Sequence, residues 1–270
     1  MTTGFHIVVC GSLVPDPLQT LQPMMGASGT PELKSEMMLP SVLDPWAGHA
    51  LYEAANLAKN TPGSKVWLVS VGPKARLQQL MMTLAQKVPF ELVALDGSAS
   101  GFIDAGSVAN VMSDAIEGLT DLDRSRLLLF GGCASASRDA GATMQMVGER
   151  LSIQDQFLSV DQLTAQADGS LKILERIEGG QYLESVCEGP PVMVGWATGT
   201  LPEPKNNPQV GMMNMRTIMP ALQKAQPAAV SADGVVFANV EVPQQRRDTR
   251  IVKDVSADEI ARELVEWIKS

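Results

Sequence analysis

The sequence predicts an α/β fold, an open and mostly parallel sheet with helices on both faces, and three observations lead to this prediction. Short apolar segments alternate four times with helical patterns over the first 150 residues. These segments lack the alternation of polar and apolar residues that a half-exposed strand shows, which indicates burial on both faces, as in a parallel sheet. Several of them end in glycine, which is typical of a strand that leads into a turn.

The first strand is expected in FHIVVCGSLV, and a connection rich in proline and methionine follows it up to residue 43. The first helix begins at DPW, where Asp44 serves as the N-cap and Pro45 occupies the first helical position. Apolar residues then keep helical spacing. The remaining strands and helices of this half are expected, in alternation, at residues 65–73, 74–87, 90–97, 105–119, 125–132 and 139–152.

The pattern changes after about residue 155. Residues 169–197 predict a two-stranded ribbon joined by a turn, followed by one more buried strand. A methionine-rich segment comes next, and we interpret it as an exposed loop. Residues 235–252 predict a strand and a basic turn. A closing helix follows, in which Ser256 and Glu259 form a capping box.

The composition excludes several classes of partner. A net charge of −9 argues against nucleic acid or an anionic membrane surface as the main partner. No apolar run approaches the roughly 20 residues that a membrane-spanning helix needs, and the first residues lack the features of a signal peptide. The three cysteines are far apart and form no CxxC motif, so we expect reduced thiols in a cytoplasmic protein.

The sequence offers little for independent catalysis. Its two histidines, His6 in the first strand and His49 in the first helix, are more easily explained as structural residues than as catalytic ones. No metal-binding motif, serine-nucleophile elbow or standard nucleotide fingerprint is present. We therefore expect no enzymatic activity and no metal site.

Four glycines stand at the carboxyl ends of predicted strands, which is the edge where open α/β sheets bind ligands. They are Gly11, Gly72, Gly131 and Gly132. Glycines at these places would let backbone N–H groups approach a phosphate at helix N-termini. Ordinary turns between strands and helices explain each glycine equally well, but together the four suggest a nucleotide-sized ligand.

The segment VGMMNMRTIMPALQKAQP carries four methionines, at positions 212, 213, 215 and 219. Methionine is flexible and polarizable, so these side chains could fill gaps in the core. They could equally form an adaptable surface that docks onto more than one partner. The residues alone leave both interpretations open.

Taken in order, several motifs resemble the β subunit of electron transfer flavoproteins over nearly the whole chain. They are VPDP after the first strand, DPWAGHALYEAANLAK, VSVGP before a helix, IEGG in the ribbon, NNPQ before the methionines, and VPQQRRDTRIVKDVSADEIARELVEWI at the end. The resemblance implies a sheet of the adenine nucleotide α-hydrolase-like type over residues 1–200. It also implies a recognition loop and a C-terminal arm that wraps a partner subunit over residues 201–270.

The resemblance further implies cofactors and partners. The family's β subunit pairs with an α subunit that holds most of a redox-active FAD, commonly binds AMP, and projects a loop that docks onto flavoprotein dehydrogenases. Met213 falls at the place of the loop's usual leucine anchor, flanked by Met212 and Met215. Arg246 and Arg247 could face the flavin or the α subunit, or form a solvated basic turn.

The cofactor-binding residues that the resemblance implies lie at the carboxyl edge of the sheet. Asp44 and Pro45 match the helix start near the AMP, and Trp46 takes the place of the aromatic residue beside the flavin. Gly11 stands where the family has a basic residue or glutamine. The remaining members are Val71, Gly72, Ser137, Arg138, Asp139 and Ala140, and Arg138 is a substitute phosphate contact.

The sequence therefore predicts the β subunit of a heterodimeric electron transfer flavoprotein, which accepts electrons from flavoprotein dehydrogenases through FAD held mainly by the α subunit. The alternative is a stand-alone adenine-nucleotide-binding module of the universal-stress-protein type. That module would explain the glycine turns, but not the methionine segment or the C-terminal arm.

Overall fold

A computed structural model describes residues 4–98, 102–136, 141–230, 237–242, 249 and 251–269. The chain divides into two compact units, Met1–Val240 and Glu241–Ser270, and each is described by itself. The predicted segments 137–140 and 246–247 lie outside the described residues.

The first unit contains the α/β sheet. Its described strands are β1 (His6–Cys10), β2 (Leu13–Pro15), β3 (Pro23–Met25), β4 (Pro31–Leu33), β5 (Ser41–Leu43), β6 (Lys65–Gly72), β7 (Glu91–Asp96), β8 (Leu127–Gly132), β9 (Asp155–Ala165), β10 (Leu171–Arg176), β11 (Tyr182–Cys187), β12 (Val192–Trp196) and β13 (Gln226–Pro227). Its described α-helices are α1 (Pro45–Asn60), α2 (Lys74–Leu84), α3 (Ala105–Glu117), α4 (Ala142–Arg150) and α5 (Pro208–Gln223). Short 3-10 helices lie at Glu36–Met38, Arg124–Arg126 and Glu178–Gly180.

Within the described ranges, nine strands form one sheet in the order β11-β10-β9-β12-β8-β1-β6-β7-β13. The seven strands from β9 to β13 in this order run parallel, while β10 and β11 extend the sheet as an antiparallel hairpin beyond β9. The predicted open, mostly parallel α/β sheet is confirmed. The order reverses at β1, because β6 pairs with one side of β1 and β8 with the other.

Two apolar cores cover the two faces of the sheet. On one face Ile7 and Val9 of β1 pack with α1, α2 and α5, and on the other face Val8 and Cys10 pack with α3 and α4. Successive residues of the strand point to opposite faces, and both sets are buried. This explains why the strand segments in the sequence are apolar without interruption.

The helix-start prediction at Asp44 is confirmed. Its carboxylate Oδ1 accepts a hydrogen bond from the N–H of Trp46 at 3.0 Å, and Pro45 begins the helix. A cap of this kind satisfies a donor that the first helical turn leaves without a partner.

Two sequence expectations were wrong, and one strand was missed. The methionine segment is not a loop but the helix α5, capped by Asn207 with Pro208 as the first helical residue. Strand β9 was not predicted, because a bulge at Ser159, where φ is +55°, interrupts its pattern. The predicted strand within 235–252 has no counterpart in residues 237–242, which have irregular backbone in the described part of this segment.

The second unit contains the helix α6 (Ala257–Lys269). The predicted capping box is confirmed, because Glu259 N–H donates to Ser256 Oγ at 3.3 Å and Ser256 N–H donates to Glu259 Oε2 at 3.1 Å. Along α6 all residues remain exposed or half-exposed, including the apolar Ile260, Leu264 and Ile268. No helix in the described ranges combines the length and apolar character that crossing a bilayer requires.

Candidate functional site

A cavity lies at the carboxyl edge of the sheet, where the strand order reverses around β1. Its volume is about 120 Å³, and its walls come from the ends of β1, β6 and β8 and from the first turns of α1, α3 and α4. Open α/β sheets bind ligands at such a reversal, because the connections leave the sheet in opposite directions and a crevice remains between them. This cavity is the candidate binding site of the fold.

Asp44 is the buried acidic residue in the wall of this cavity. Besides capping α1, it accepts a second hydrogen bond, from Ala136 N–H to Oδ2 at 2.9 Å. Burial raises the pKa of Asp44, while the backbone donors at Ala136 and Trp46 oppose that rise. Because both oxygens already accept backbone hydrogen bonds, the carboxylate joins α1 to the loop after β8.

The four glycines at the strand ends are close-packing positions. A Cβ at residue 132 would lie 2.3 Å from Trp46 Cβ, and a Cβ at residue 131 would lie 2.3 Å from Met144 Sδ. At the other two positions, Gly11 and Gly72, a Cβ would come within 2.9 Å of neighbouring side chains. Close packing therefore explains these glycines without a phosphate, most firmly at residue 132, where the atom in the way is the Cβ of Trp46.

The cavity is small and carries no cation in the described part of its wall. Ligand pockets in proteins usually have volumes of roughly 300–1,000 Å³, well above the volume here. Its described lining is made of apolar residues, small residues, hydroxyl groups and Asp44, without lysine or arginine. The predicted phosphate contacts Ser137, Arg138, Asp139 and Ala140 lie outside the described residues, so that part of the prediction stays a prediction.

A flavin needs more room than this cavity gives. FAD is much larger than the cavity, so the described part of the chain does not enclose it there. Trp46 is half-buried and Pro45 is exposed at the first turn of α1, so the helix start offers an apolar surface beside the cavity. Such a surface fits one wall of a flavin site that a second protein completes.

The structure brings only part of the predicted cofactor set together. Gly11, Asp44 and Val71 line the cavity. Pro45, Trp46 and Gly72 are next to these residues in the chain but are not part of its lining. Sequence reasoning missed the opposite wall, where Met112 of α3 and Met144 of α4 face the cavity. Only the packing of these two helices across the sheet reveals their place.

The docking methionines separate into two kinds. Met212 and Met213 are each 70% exposed on α5, whereas Met215 packs partly buried against the core that includes α1 and α2. The prediction that Met215 belongs to the docking group therefore disagrees with its packing, because helical spacing turns it inward with Ile218. Met219 also packs against this core.

The exposed pair lies at the edge of the sheet opposite the cavity. Helix α2 starts at the carboxyl edge, where Lys74 N–H donates to Asp96 Oδ1 at 2.9 Å. It ends near Ala85, whose carbonyl accepts a hydrogen bond from Asn214 of α5. Eleven residues of helix correspond to about 16 Å. The cavity and the exposed methionines are therefore separate surfaces.

Sequence reasoning also missed an ion pair between a buried carboxylate, Asp161, and an exposed guanidinium, Arg176, in the antiparallel extension. Arg176 donates from Nε and Nη2 to the two oxygens of Asp161, each at 2.9 Å. The Tyr182 hydroxyl donates to Asp161 Oδ2 at 3.0 Å, and Arg176 Nη2 also donates to Thr198 Oγ1 at 2.9 Å. The pair thus fixes the loop after β12 to the hairpin. The acid in SVDQL gave no clear signal in the sequence, because strand β9 contains several other polar residues.

The two histidines lie away from the cavity wall. His6 is at the start of β1, at the opposite edge of the sheet, and His49 is on the first turns of α1. Among the described residues, no group of three or more histidine, cysteine or acidic side chains is placed to hold a metal ion. Cys10, Cys133 and Cys187 are free thiols.

Comparison with known proteins gives a family. A search of curated proteins found no match to the chain. The sequence profile of the electron transfer flavoprotein domain matches residues 35–233, which is nearly three quarters of the chain. The matched region runs from the segment before α1 through α5 and includes most of the sheet and the cavity wall. The chain therefore belongs to the electron transfer flavoprotein domain family.

Proposed function

We propose that this chain is the β subunit of a heterodimeric electron transfer flavoprotein. In this role it accepts electrons from flavoprotein dehydrogenases through an FAD that an α subunit mainly holds. Membership of the family supports the electron-transfer role, and the order of the quoted motifs supports the β subunit. Three free cysteines, consistent with a reducing compartment, support a cytoplasmic location as part of the same proposal.

The observation that carries the proposal is the size of the cavity. At about 120 Å³ it holds a few water-sized molecules and not a flavin. A flavoprotein-family chain that does not enclose a flavin requires a second protein to complete the site. The half-buried Trp46 beside the cavity gives this chain a wall to contribute.

The distribution of polar side chains supports a carrier rather than an enzyme. Asp44 uses both carboxylate oxygens for backbone hydrogen bonds, which gives it a structural role at the cavity. His6 accepts a hydrogen bond at Nδ1 from Asp123 N–H at 2.8 Å, at the opposite edge of the sheet. A proton-transfer catalyst needs its acid or base within hydrogen-bonding reach of the substrate, and His6 does not meet this requirement at the cavity.

Two apolar surfaces provide the partner contacts in this proposal. Helix α6 exposes Ile260, Leu264 and Ile268 at helical spacing, which suits a lasting contact with the α subunit. Helix α5 exposes Met212 and Met213, which suits a small, weak and adaptable contact with dehydrogenases. AMP, which the sequence resemblance implies, stays a prediction, because its expected phosphate contacts at 137–140 lie outside the described residues.

The test is purification of the tagged full chain from its native host, with an absorbance spectrum and nucleotide analysis of the eluate. We expect a flavin spectrum and one stoichiometric partner protein. Purified flavoprotein dehydrogenases of the same host, each supplied with its substrate, are then screened for bleaching of that flavin. At least one is expected to reduce it.

The same purification can also contradict the proposal. A colourless chain without a partner, carrying an adenine nucleotide, would contradict the proposal and support the stand-alone nucleotide-binding module. A yellow complex that also contains AMP would support the electron-carrier role. It would also confirm AMP as a ligand of the complex.

A further inference from the structure

The first turns of α5 are attached to the carboxyl end of α2 by several independent contacts. Asn207, the N-cap of α5, accepts from Gln209 N–H at 3.1 Å through its side chain, and its own N–H donates to the Gln86 carbonyl at 2.8 Å. Just upstream, Lys87 forms an ion pair with Glu203. Contacts with Gln86 and Lys87 therefore hold the start of α5 and the segment before it, upstream of the methionines.

Asn214 makes the most specific of these contacts. Its side-chain Nδ2 donates to the carbonyl of Ala85 at 2.7 Å and to the carbonyl of Val88 at 3.1 Å. The first carbonyl belongs to the C-cap of α2 and the second lies four residues beyond the end of that helix, where no intrahelical donor reaches them. One amide group thus satisfies two acceptors and joins two helices.

Gly211 brings the two helices into direct contact. A Cβ at this position would lie 2.6 Å from Gln86 Cγ, so the backbone of α5 passes directly over the Gln86 side chain. Gly211, Asn214 and Ile218 lie on one face of α5 and are turned towards the protein. With this face fixed, Met212 and Met213 project to solvent from the opposite face.

We propose that the end of α2 and the first turns of α5 form a preformed docking element, in which Asn214 is a positioning residue that sets the direction of Met212 and Met213. The proposal rests on the proposed function for its occupant, an apolar pocket on a flavoprotein dehydrogenase. Because the backbone is ordered before binding, the entropy cost of docking comes from ordering two side chains and not a whole loop. Adaptability then comes from the methionine side chains alone.

Hydrogen exchange of the full chain tests the preformed state without any partner. We expect the amides of residues 211–216 to be protected to a degree similar to those of α2. Asn214→Asp places a carboxylate against two carbonyls and should raise exchange in this segment at least about tenfold, while α1 is unchanged. Exchange in the unsubstituted chain as fast as in an unstructured peptide would overturn the proposal.

A disulfide tests whether docking needs movement of α5. A Cβ at residue 211 would lie 3.6 Å from Gln86 Cβ, within the about 3.5–4.5 Å that disulfides require. In the pair Gln86→Cys and Gly211→Cys, the Cγ that would clash is replaced by the Sγ that forms the bond. We expect the oxidised pair to retain the KM of the unsubstituted protein for the dehydrogenase found in the screen above, within about twofold. A loss of about tenfold or more on oxidation, reversed by reductant, would overturn the proposal, and Gln86→Cys alone is the control.

Kinetics separate positioning from general stability. Asn214→Asp should raise the KM for that dehydrogenase about tenfold and leave kcat within twofold. The control is Leu222→Ala, a buried position at the other end of α5, which should lower stability and leave KM unchanged. Equal effects on KM from both variants would contradict a positioning role. If no dehydrogenase reduces even the unsubstituted complex, the proposed function fails, while the exchange experiment still decides whether the element is preformed.

Discussion

Asp44 and Ala136 are 92 residues apart in the chain, yet the carboxylate of the first accepts a hydrogen bond from the backbone N–H of the second at 2.9 Å. The same carboxylate caps α1 through Trp46. One side chain therefore fixes both the helix start and the loop after β8 at the edge of the cavity. A residue that the resemblance assigned to nucleotide binding thus has a complete structural role of its own.

Removal of this carboxylate should be costly. Asp44→Ala leaves the N–H groups of Trp46 and Ala136 without their acceptor, and we expect a loss of about 2–3 kcal/mol in the free energy of unfolding. Urea unfolding followed by circular dichroism measures it. The control is Asp114→Ala on the exposed surface of α3, which should change the value by less than about 0.5 kcal/mol. Equal effects of the two would contradict the bridging role.

Two glycines should respond in opposite directions to alanine. Gly132→Ala brings a Cβ within 2.3 Å of Trp46 Cβ, and we expect a loss of about 2–3 kcal/mol in stability from overpacking. Gly48 lies inside α1 with nothing within 4 Å of its hypothetical Cβ. Gly48→Ala should therefore gain about 0.5–1 kcal/mol, because alanine favours helix. Thermal unfolding of both variants measures the two changes in stability. A Gly132→Ala variant as stable as the unsubstituted chain would show that packing is not the reason for that glycine.

The stability of the protein should fall as the pH decreases below about 6.5. Burial, followed by the charge of Arg126, lowers the pKa of His6 in the folded chain below its ordinary value of 6.5, while Lys65 acts in the same direction and Asp121 and Asp123 oppose it. Below pH 6.5 the unfolded chain binds the proton and the folded chain does not. The free energy of unfolding therefore decreases as the pH falls from 6.5 to the folded pKa.

The variant His6→Asn isolates this effect. Its Oδ1 can accept the Asp123 N–H that His6 Nδ1 now accepts at 2.8 Å, but it does not titrate. We expect a smaller decrease in stability between pH 6.5 and 5 than in the unsubstituted chain, measured by urea unfolding. Burial also lowers the pKa of His49, so part of the dependence should remain, and His49→Asn should remove that part. An unchanged pH profile in His6→Asn would contradict the assignment.

Substitution of an exposed methionine of α5 should affect docking, whereas substitution of a partly buried one should affect stability. Met213→Ala, at a position 70% exposed, should leave stability within about 0.5 kcal/mol and flavin content unchanged. It should raise the KM for the dehydrogenase about tenfold, as removal of an interface anchor does. Met215→Ala should instead lower stability by about 1–2 kcal/mol, because Met215 packs against the core. Stopped-flow reduction of the flavin and urea unfolding give the two values. Loss of flavin in Met213→Ala would show that α5 is part of the flavin site.

The apolar surface of α6 should decide subunit pairing. The double variant Leu264→Asp and Ile268→Asp places charges on that surface, and we expect loss of the co-purifying partner and of the flavin spectrum with it. Lys269→Asp in the last turn of the same helix changes the net charge by the same amount and should retain both. Retention of the partner by the double variant would contradict a role of α6 in pairing.

Short-range signals predicted much of the fold. The Asp44–Pro45 pair located the start of α1 to the residue, and the apolar strands located the parallel sheet. The same signal, Asn207 followed by Pro208, was present at α5 and would have identified it. It was obscured because only Gly211, Ile218 and Leu222 are buried and Pro220 interrupts the apolar pattern.

The candidate site was predictable only in its position. Topology alone places it at the carboxyl edge of the sheet. Gly11 was identified from that edge, and Val71 from the family resemblance. The reason for the glycines was not predictable, because it depends on Trp46 and Met144, which reach them only in the folded chain. Met112 was missed for the same reason, since contacts across a sheet leave no local pattern in the sequence.

The sheet ends differently at its two edges, and this determines where identical chains could join edge to edge. Strand β13 has two residues, and Pro227 has no N–H to donate, so this edge offers little to a further strand. Strand β11 is six residues long, with Leu183 and Val186 more than half exposed. Self-association and aggregation of the purified chain at high concentration would therefore start at β11. On this strand the charged residue is Glu184, whose carboxylate lies 2.7 Å from Lys172 Nζ. A charge on an edge strand opposes edge-to-edge pairing between identical chains.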